Sequence, residues 1–162
     1  MTAGRPGTAH LVHGFIGAGK TTFARALEVR LPAVRFTHDE WMVALYGQDP
    51  PAERFAELAR RVSALIDAQW TRCLALGLDV VVDLAFWSRA QRDATRAQVA
   101  ALGGRARLYD LAVSDEEAWA RVAKRNEEPG ALFIARSTFE ALRARFEPLG
   151  TDEEREEIAA LG

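Results

Sequence analysis

The chain has 162 residues, of which 49% are hydrophobic and 27% are charged. These proportions are typical of a globular domain with a substantial apolar core, so we expect one domain over residues 1–162. The formal net charge of −2 argues against a nucleic-acid backbone or an anionic membrane as the main partner. The sequence shows no apolar run of the roughly 18 residues that a membrane span needs and no secretory signal pattern, so we expect a cytoplasmic protein.

A short apolar strand and an amphipathic helix open the chain, with a glycine-rich turn between them. The strand is predicted from Ala9 to Val12 and leads into Gly14. From Thr21 onward, apolar residues recur at helical spacing until Pro32 ends the pattern.

The next two strands end in acidic residues. Residues 33–40 predict a second strand with Asp39 at its carboxyl end, followed by a short helix from Trp41 to Tyr46. Residues 78–86 form a β-branched run that is typical of a strand buried on both faces, and this run contains Asp83.

Capping residues predict where five helices begin. Asp49 is expected to cap a long helix that connects the second and third strands and ends at Gly77. A Ser or Thr followed three residues later by Gln or Glu predicts four further helices. These pairs are Ser88 with Gln91, Ser114 with Glu117, Ser137 with Glu140, and Thr151 with Glu154.

A fourth strand is predicted over residues 105–113, and the last helix is acidic and covers residues 151–162.

Apolar strands that alternate with helices indicate an α/β fold with an open parallel sheet. In such sheets, ligands bind beyond the carboxyl ends of the strands. Gly14, Asp39 and Asp83 are all predicted to lie at this edge.

The glycine-rich turn matches the P-loop pattern G-x-x-x-x-G-K-[ST]. Its residues are Gly14, Phe15, Ile16, Gly17, Ala18, Gly19, Lys20 and Thr21, and Thr22 follows in the helix. The glycines allow backbone N–H groups to approach phosphate oxygens, and the helix N-terminus adds partial positive charge. Lys20 is expected on the β- and γ-phosphates and the Thr21 hydroxyl on Mg²⁺. We therefore expect ATP, or a similar nucleoside triphosphate, and Mg²⁺ as ligands.

Two aspartates are candidates for the chemistry beyond phosphate binding. Asp39 is placed to accept a proton from an acceptor hydroxyl or to hold it in line, although it is also suited to cap the helix near Trp41. Asp83 ends a Val-Val-Val-Asp run of the Walker-B type, and it is expected to hold Mg²⁺ or position the acceptor. Glu40 and His38 are interpreted as polar residues at a strand end.

Basic and aromatic side chains complete the set of candidates. Arg121 and Arg125 are spaced i, i+4 and could neutralise charge on the transferring phosphoryl group, or they could pair with acidic neighbours on a solvated face. Arg92 is a weaker candidate for contact with substrate. Trp41 and Trp87 fit either the wall of an acceptor pocket or the packing of helices on the sheet.

Four segments in this order resemble one family of small P-loop kinases. They read HGFIGAGKTTFARAL, FTHDEW, VVVDLAFWSRAQRD and WARVAKRN. The family, the AAA-type ATP-binding proteins, includes polynucleotide 5′-hydroxyl kinases, chloramphenicol phosphotransferase-like enzymes and zeta-toxin-like kinases. The resemblance covers roughly residues 9–147.

This resemblance implies a three-layer P-loop NTPase fold with a four- to five-stranded parallel sheet of 2-3-1-4-type order. It also implies a small helical lid over roughly residues 119–136. Lys20 and Thr21 would contact ATP and Mg²⁺, and Asp39 would be the base. Asp83 would lie near the acceptor, and Arg121 or Arg125 would reach the phosphates from the lid.

Three features depart from the family pattern. Met42 stands where polynucleotide kinases have an arginine, which weakens the case for a nucleic-acid 5′ end as acceptor. Pro129 replaces a second arginine after the lid. Residues 151–162 are acidic and predict a helix where the family has a fifth strand, so the sheet is expected to have four or five strands.

The first hypothesis is an ATP-dependent kinase that phosphorylates a hydroxyl group of a small molecule. The second is an NTPase or nucleotide-sensing protein without an acceptor, and the third is a nucleic-acid 5′-hydroxyl kinase. The absence of an N-K-x-D motif argues against GTP. The sequence does not identify the acceptor.

Overall fold

The computed structural model describes residues 5–158 and consists of a parallel sheet covered by helices on both faces. The sheet has four strands in the order β2-β3-β1-β4, which confirms the predicted α/β fold and strand order. The strands are Thr8–Gly14 (β1), Val34–Thr37 (β2), Val80–Asp83 (β3) and Arg105–Leu111 (β4). The helices are Lys20–Arg30 (α1), His38–Tyr46 (α2), Ala52–Ala75 (α3), Arg89–Ala101 (α4), Asp115–Asn126 (α5) and Arg136–Arg143 (α6).

The central strands β1 and β3 are buried along their whole length, as their apolar runs predict. Successive side chains point to opposite faces of the sheet. Leu11 and Val82 therefore belong to the core cluster that includes α3 and α4 residues. Val12 and Val81 pack with Leu27 of α1 on the other face.

The register of the sheet brings the functional candidates to one edge, which we call the carboxyl edge. Thr37 at the end of β2 is paired with Asp83 at the end of β3. Gly14 at the end of β1 is paired with Leu111 of β4. The glycine-rich turn, the start of α2 and the end of β3 consequently lie side by side.

Helices α2 and α3 begin at residues other than those predicted. Helix α2 begins at His38, so Asp39 lies in its first turn and is neither a strand end nor an N-cap. An acidic residue in a first turn is favoured by the helix dipole, which accounts for this earlier start. Helix α3 begins at Ala52 with Pro51 before it, so the prediction that Asp49 is the N-cap was wrong. Each proline disfavours helical geometry in the residue that precedes it, which delays the start of α3.

Two of the four predicted capping boxes provide the expected N-cap. The hydroxyl groups of Ser88 and Ser114 accept N–H bonds from Gln91 and Glu117, respectively. The predicted Ser137 cap was wrong, because α6 begins at Arg136 and no side chain caps it.

The acidic segment after α6 does not form the predicted helix over residues 151–158. Residues 151–153 form a turn, and Glu156 makes a single parallel bridge to Tyr109 of β4. The buried Glu153 side chain pairs with Arg92, and this long-range ion pair holds the turn against α4. The rest of the predicted helix, residues 159–162, lies outside the described residues. Over residues 5–158, no helix combines the length and the apolar character that crossing a bilayer requires.

Candidate active site at the carboxyl edge

The glycine-rich turn connects β1 to α1 and depends on two glycines with left-handed backbone. Gly17 has φ +81° and Gly19 has φ +90°, a region that side chains disfavour. A Cβ at Gly17 would also collide with the Ala118 carbonyl of α5. Since α1 begins at Lys20, the N–H groups of its first turn have no partner within the helix and are available to an anion.

The Lys20 side chain folds back over this turn. Its Nζ donates a hydrogen bond to the Phe15 carbonyl at 2.9 Å. Burial lowers the pKa of Lys20, and Arg125 adds to this effect, whereas Asp83 and Asp39 oppose it. The ammonium group therefore lies at the turn with two carboxylates nearby.

Thr21 and Asp83 bring two side-chain oxygen groups together beside the turn. The Thr21 hydroxyl donates to Asp83 Oδ2 at 3.0 Å. Burial raises the pKa of Asp83, and the nearby Asp39 charge raises it further, while Lys20, Thr21 and Thr37 oppose the rise. Hydroxyl and carboxylate oxygens are ligands that Mg²⁺ prefers, so this pair fits the predicted metal. Among residues 5–158, no three His, Cys, Asp or Glu side chains form a metal cluster of their own, and Mg²⁺ at nucleotide sites typically needs few protein ligands.

Asp39 reaches the same site from the first turn of α2. Its side chain is 50% exposed, so a substrate can approach it. Desolvation by the surrounding protein raises the pKa of Asp39, but His38, Lys20 and Arg125 lower it by more. The carboxyl group is therefore ionised at neutral pH and able to accept a proton.

The two candidate arginines of α5 have different surroundings. Arg121 Nη1 donates to the Gly17 carbonyl at 3.1 Å, and Nη2 pairs with Glu117, as the alternative interpretation of this face expected. Arg125 Nε and Nη2 are buried and have no hydrogen-bond partner. The Arg125 charge lowers the pKa values of both Lys20 and Asp39, which places the guanidinium beside them. Buried donors without partners are costly, so Arg125 is a candidate for contact with an anion.

The two candidate tryptophans have different surroundings. Trp87 Nε1 donates to the Gly14 carbonyl at 3.2 Å, so the indole contacts the glycine-rich turn directly. Trp41 is partly buried against the core, with its ring 6.3 Å from that of Phe36.

Arg92 has a structural position in place of the expected contact with substrate. Its side chain is fully buried and forms two hydrogen bonds to Glu153. The other donors bind the carbonyl groups of Phe86, Glu147 and Pro148. All five donors are occupied, which leaves none for a substrate.

The segment after β3 contains a strained turn that Arg92 supports. Ala85 and Phe86 have φ of +69° and +52°, which is unfavourable for residues other than glycine. The Phe86 N–H donates to the Leu84 carbonyl at 2.9 Å, so the chain reverses within three residues. This turn directs Trp87 toward the glycine-rich turn, and strain of this kind is typical of functional sites.

His38 contacts Asp39 of the site, although the sequence interpretation treated His38 as an ordinary polar residue. Its Nδ1 lies 3.6 Å from Asp39 Oδ1, and its Nε2 lies 3.1 Å from the Ala59 carbonyl of α3. The direct adjacency of His38 and Asp39 was the only signal in the sequence. Glu40, by contrast, pairs with Arg25 and Arg35, and it lies in the first turn of α2 and not at the strand end where the sequence interpretation placed it.

Residues 10–149 match the family model described as AAA domain. The chain belongs to this AAA domain family. The resemblance inferred from the four sequence segments is therefore confirmed at the level of the family. No curated protein matches the sequence.

Three solved structures share the fold of this AAA domain protein. A chain of the Pnkp1/Rnl/Hen1 RNA repair complex has a TM-score of 0.71 and 20% identity over 89% of this protein, which spans 45% of that chain. Kti12 from Chaetomium thermophilum, in complex with ADP-AlF3, has a TM-score of 0.68 and 19% identity, covering 86% of this protein and 80% of Kti12. A gluconokinase from Sinorhizobium meliloti 1021 has a TM-score of 0.61 and 21% identity, covering 92% and 79% of the respective chains. At these identities, the likeness shows the fold alone.

Proposed function

We propose that this protein transfers the γ-phosphate of ATP to a hydroxyl group of a small molecule. The observation that carries the proposal is the meeting of three charges at the carboxyl edge. The Lys20 ammonium and the Asp39 carboxylate each shift the pKa of the other, and the Arg125 guanidinium, whose buried Nε and Nη2 lack partners, lowers the pKa of both. Two cations and a half-exposed carboxylate suit the transfer of an anionic group to a neutral hydroxyl.

The donor half of the site is the glycine-rich turn. Backbone N–H groups from Gly14 to Thr22 would surround the phosphates of ATP, and Lys20 would move from the Phe15 carbonyl to the β- and γ-phosphates. Thr21 and Asp83 would hold Mg²⁺, directly or through water. The metal, when bound, neutralises phosphate charge.

The acceptor half of the site is built around Asp39. The hydroxyl oxygen of the acceptor forms a bond to the γ-phosphorus, and the bond between that phosphorus and the β,γ-bridging oxygen breaks to release ADP. The hydroxyl proton passes to Asp39. Arg125 stabilises the charge on the phosphoryl oxygens during transfer, and Arg121 holds the glycine-rich turn through the Gly17 carbonyl.

The segment around α5 is proposed to act as the lid, over roughly residues 119–136. The Asn126 side chain closes the loop that follows α5, with two hydrogen bonds to the backbone of Ile134. This closed loop gives Arg125 a rigid base from which to reach the phosphates.

A small-molecule acceptor is favoured over a nucleic-acid end. Met42 is fully buried in the core, so the position at which polynucleotide kinases have an arginine offers no contact to a phosphate backbone. Solved structures with this fold include a gluconokinase and a sugar kinase, which supports a polyhydroxylated acceptor.

A panel of acceptors tests this function. Purified protein with Mg²⁺ and ATP is assayed for ADP release in the presence of sugars, sugar acids, nucleosides, hydroxylated antibiotics and 5′-hydroxyl oligonucleotides. We expect one small-molecule class to raise ADP release above the rate without acceptor, with transfer of ³²P to that compound. Hydrolysis that no acceptor increases would instead support an NTPase, and transfer to the oligonucleotide would support an end kinase.

A further inference from the structure

His38 is the first residue of α2, and its side chain lies against α3 and is 19% exposed. Its Nε2 is 3.1 Å from the Ala59 carbonyl oxygen. A carbonyl oxygen only accepts hydrogen bonds, so Nε2 must carry the proton and donate it. This bond fixes the ring on α3 and determines which nitrogen faces Asp39.

The nitrogen that faces Asp39 is Nδ1, at 3.6 Å from Oδ1. Because Nε2 is already protonated, a neutral ring would direct the lone pair of Nδ1 at the carboxylate. A doubly protonated ring directs an N–H group and a positive charge at it instead. The observed contact is therefore favourable with the imidazolium form.

We propose that His38 is a positioning residue, whose imidazolium is anchored to Ala59 of α3 and orients the Asp39 carboxylate toward the acceptor hydroxyl. The proposal rests on the proposed function, because it assigns Asp39 the role of base. It adds a residue that the P-loop and its lysine do not predict.

The charges around the pair favour this protonated form. Besides each other, the two residues face Lys20 of α1, Asp83 of β3 and Arg125 of α5. Desolvation lowers the pKa of His38, but Asp39, the Ala59 carbonyl and Asp83 raise it by more, so it lies above the ordinary value of 6.5. The imidazolium is consequently present below this raised value and is lost as the pH rises through it.

An NMR titration tests the pairing without any acceptor. The chain has three histidines, and the signals of His38 are assigned by their loss in His38→Gln. We expect the His38 midpoint to lie above 6.5 in the wild-type protein and to fall by about one unit in Asp39→Asn, because an adjacent carboxylate shifts a titration by roughly this amount. An Asp39→Asn protein with the wild-type midpoint would overturn the pairing.

Two substitutions then separate positioning from folding, with the acceptor that the panel identifies. His38→Asn places an uncharged amide donor near Nδ1, and His38→Gln keeps a donor for the Ala59 carbonyl but loses the one that faces Asp39. We expect kcat to fall about tenfold in His38→Gln with KM for ATP unchanged, because misoriented catalytic groups lose rate without losing substrate. His38→Asn should retain kcat within about threefold and lose the decline of the wild-type enzyme at high pH.

Equal kcat losses in both variants, or a rise in KM for ATP in place of the fall in kcat, would overturn the positioning role. A panel without any acceptor would defeat the proposed function and the positioning role with it. The His38–Asp39 pairing itself would still be decided by the titration.

Discussion

At the residue scale, Lys20 and Lys124 provide a matched pair, since they are the only lysines of the chain. Lys20 lies on the glycine-rich turn, whereas Lys124 is exposed on α5. Lys20→Ala should lower the affinity for ATP by at least about tenfold and the transfer rate by roughly a hundredfold or more, because it removes the cation proposed to contact the phosphates. Isothermal titration with ATP and Mg²⁺ measures the affinity. Lys124→Ala should bind as the wild-type protein does, and equal losses in both variants would contradict the assignment.

Arg125 allows a test in which stability and activity change in opposite directions. Its buried Nε and Nη2 atoms lack partners, so Arg125→Met should leave the free energy of unfolding unchanged or raise it by about 1 kcal/mol. The same change should lower phosphoryl transfer by roughly a hundredfold. Urea unfolding and an ADP-release assay measure the two effects. Arg121→Met is the control for the stability measurement. Unlike the buried donors of Arg125, those of Arg121 form bonds, to Gly17 and Glu117, which the substitution removes. A marked loss of stability in Arg125→Met would show that Arg125 serves the fold.

At the scale of elements, the Arg92–Glu153 pair connects α4 to the segment after α6. Both side chains are buried, with exposures of 0% and 1%. Removing one partner of such a pair leaves an uncompensated charge, so Glu153→Gln should lower the free energy of unfolding by roughly 3–5 kcal/mol at neutral pH. Asp152→Asn is the control, because Asp152 is exposed and its ion pair with Arg89 should contribute under about 1 kcal/mol. Urea unfolding at pH 7 measures both.

The same pair predicts a dependence of stability on pH. The Arg92 guanidinium holds the pKa of Glu153 well below its usual value of 4.5. A carboxyl group whose pKa is lowered in the folded protein stabilises the fold at pH values above its pKa in the unfolded chain. This contribution is lost as the pH falls toward the pKa of the group in the folded protein. Wild-type stability should therefore drop below about pH 4.5, and this part of the drop should be absent in Glu153→Gln. Identical acid profiles would contradict the prediction.

Local patterns predicted the elements whose determinants lie within a few residues. The P-loop and the Ser88 and Ser114 caps depend on neighbouring residues, so the sequence was sufficient to find them. The turn at Glu153 depends on Arg92, which is 61 positions away, and the strained turn at Phe86 depends on the same guanidinium. Propensity alone predicts a helix for the acidic segment, because it takes no account of such a partner.

At the scale of the whole molecule, four elements bring one charged group each to the carboxyl edge. Lys20 comes from α1, Asp39 from α2, Asp83 from β3 and Arg125 from α5. The strand order places β3 beside β1, so the end of β3 must lie next to the glycine-rich turn. The sequence predicted this convergence through the rule that ligands bind at the carboxyl ends of parallel strands. It did not predict that Arg121 binds the Gly17 carbonyl while Nε and Nη2 of Arg125 lack partners, because the i, i+4 spacing places both arginines on one helix face.

The central claim is that Asp39 accepts the proton of an acceptor hydroxyl, and Asp39→Asn tests it most directly. Asparagine keeps the shape of the side chain and removes its basicity. With saturating ATP, Mg²⁺ and the acceptor, a single-turnover measurement should show phosphoryl transfer slowed by roughly a hundredfold or more, while ATP affinity stays within about threefold of wild type. Asp49→Asn, at an exposed residue outside the site, should transfer at the wild-type rate. A wild-type transfer rate in Asp39→Asn would contradict the account.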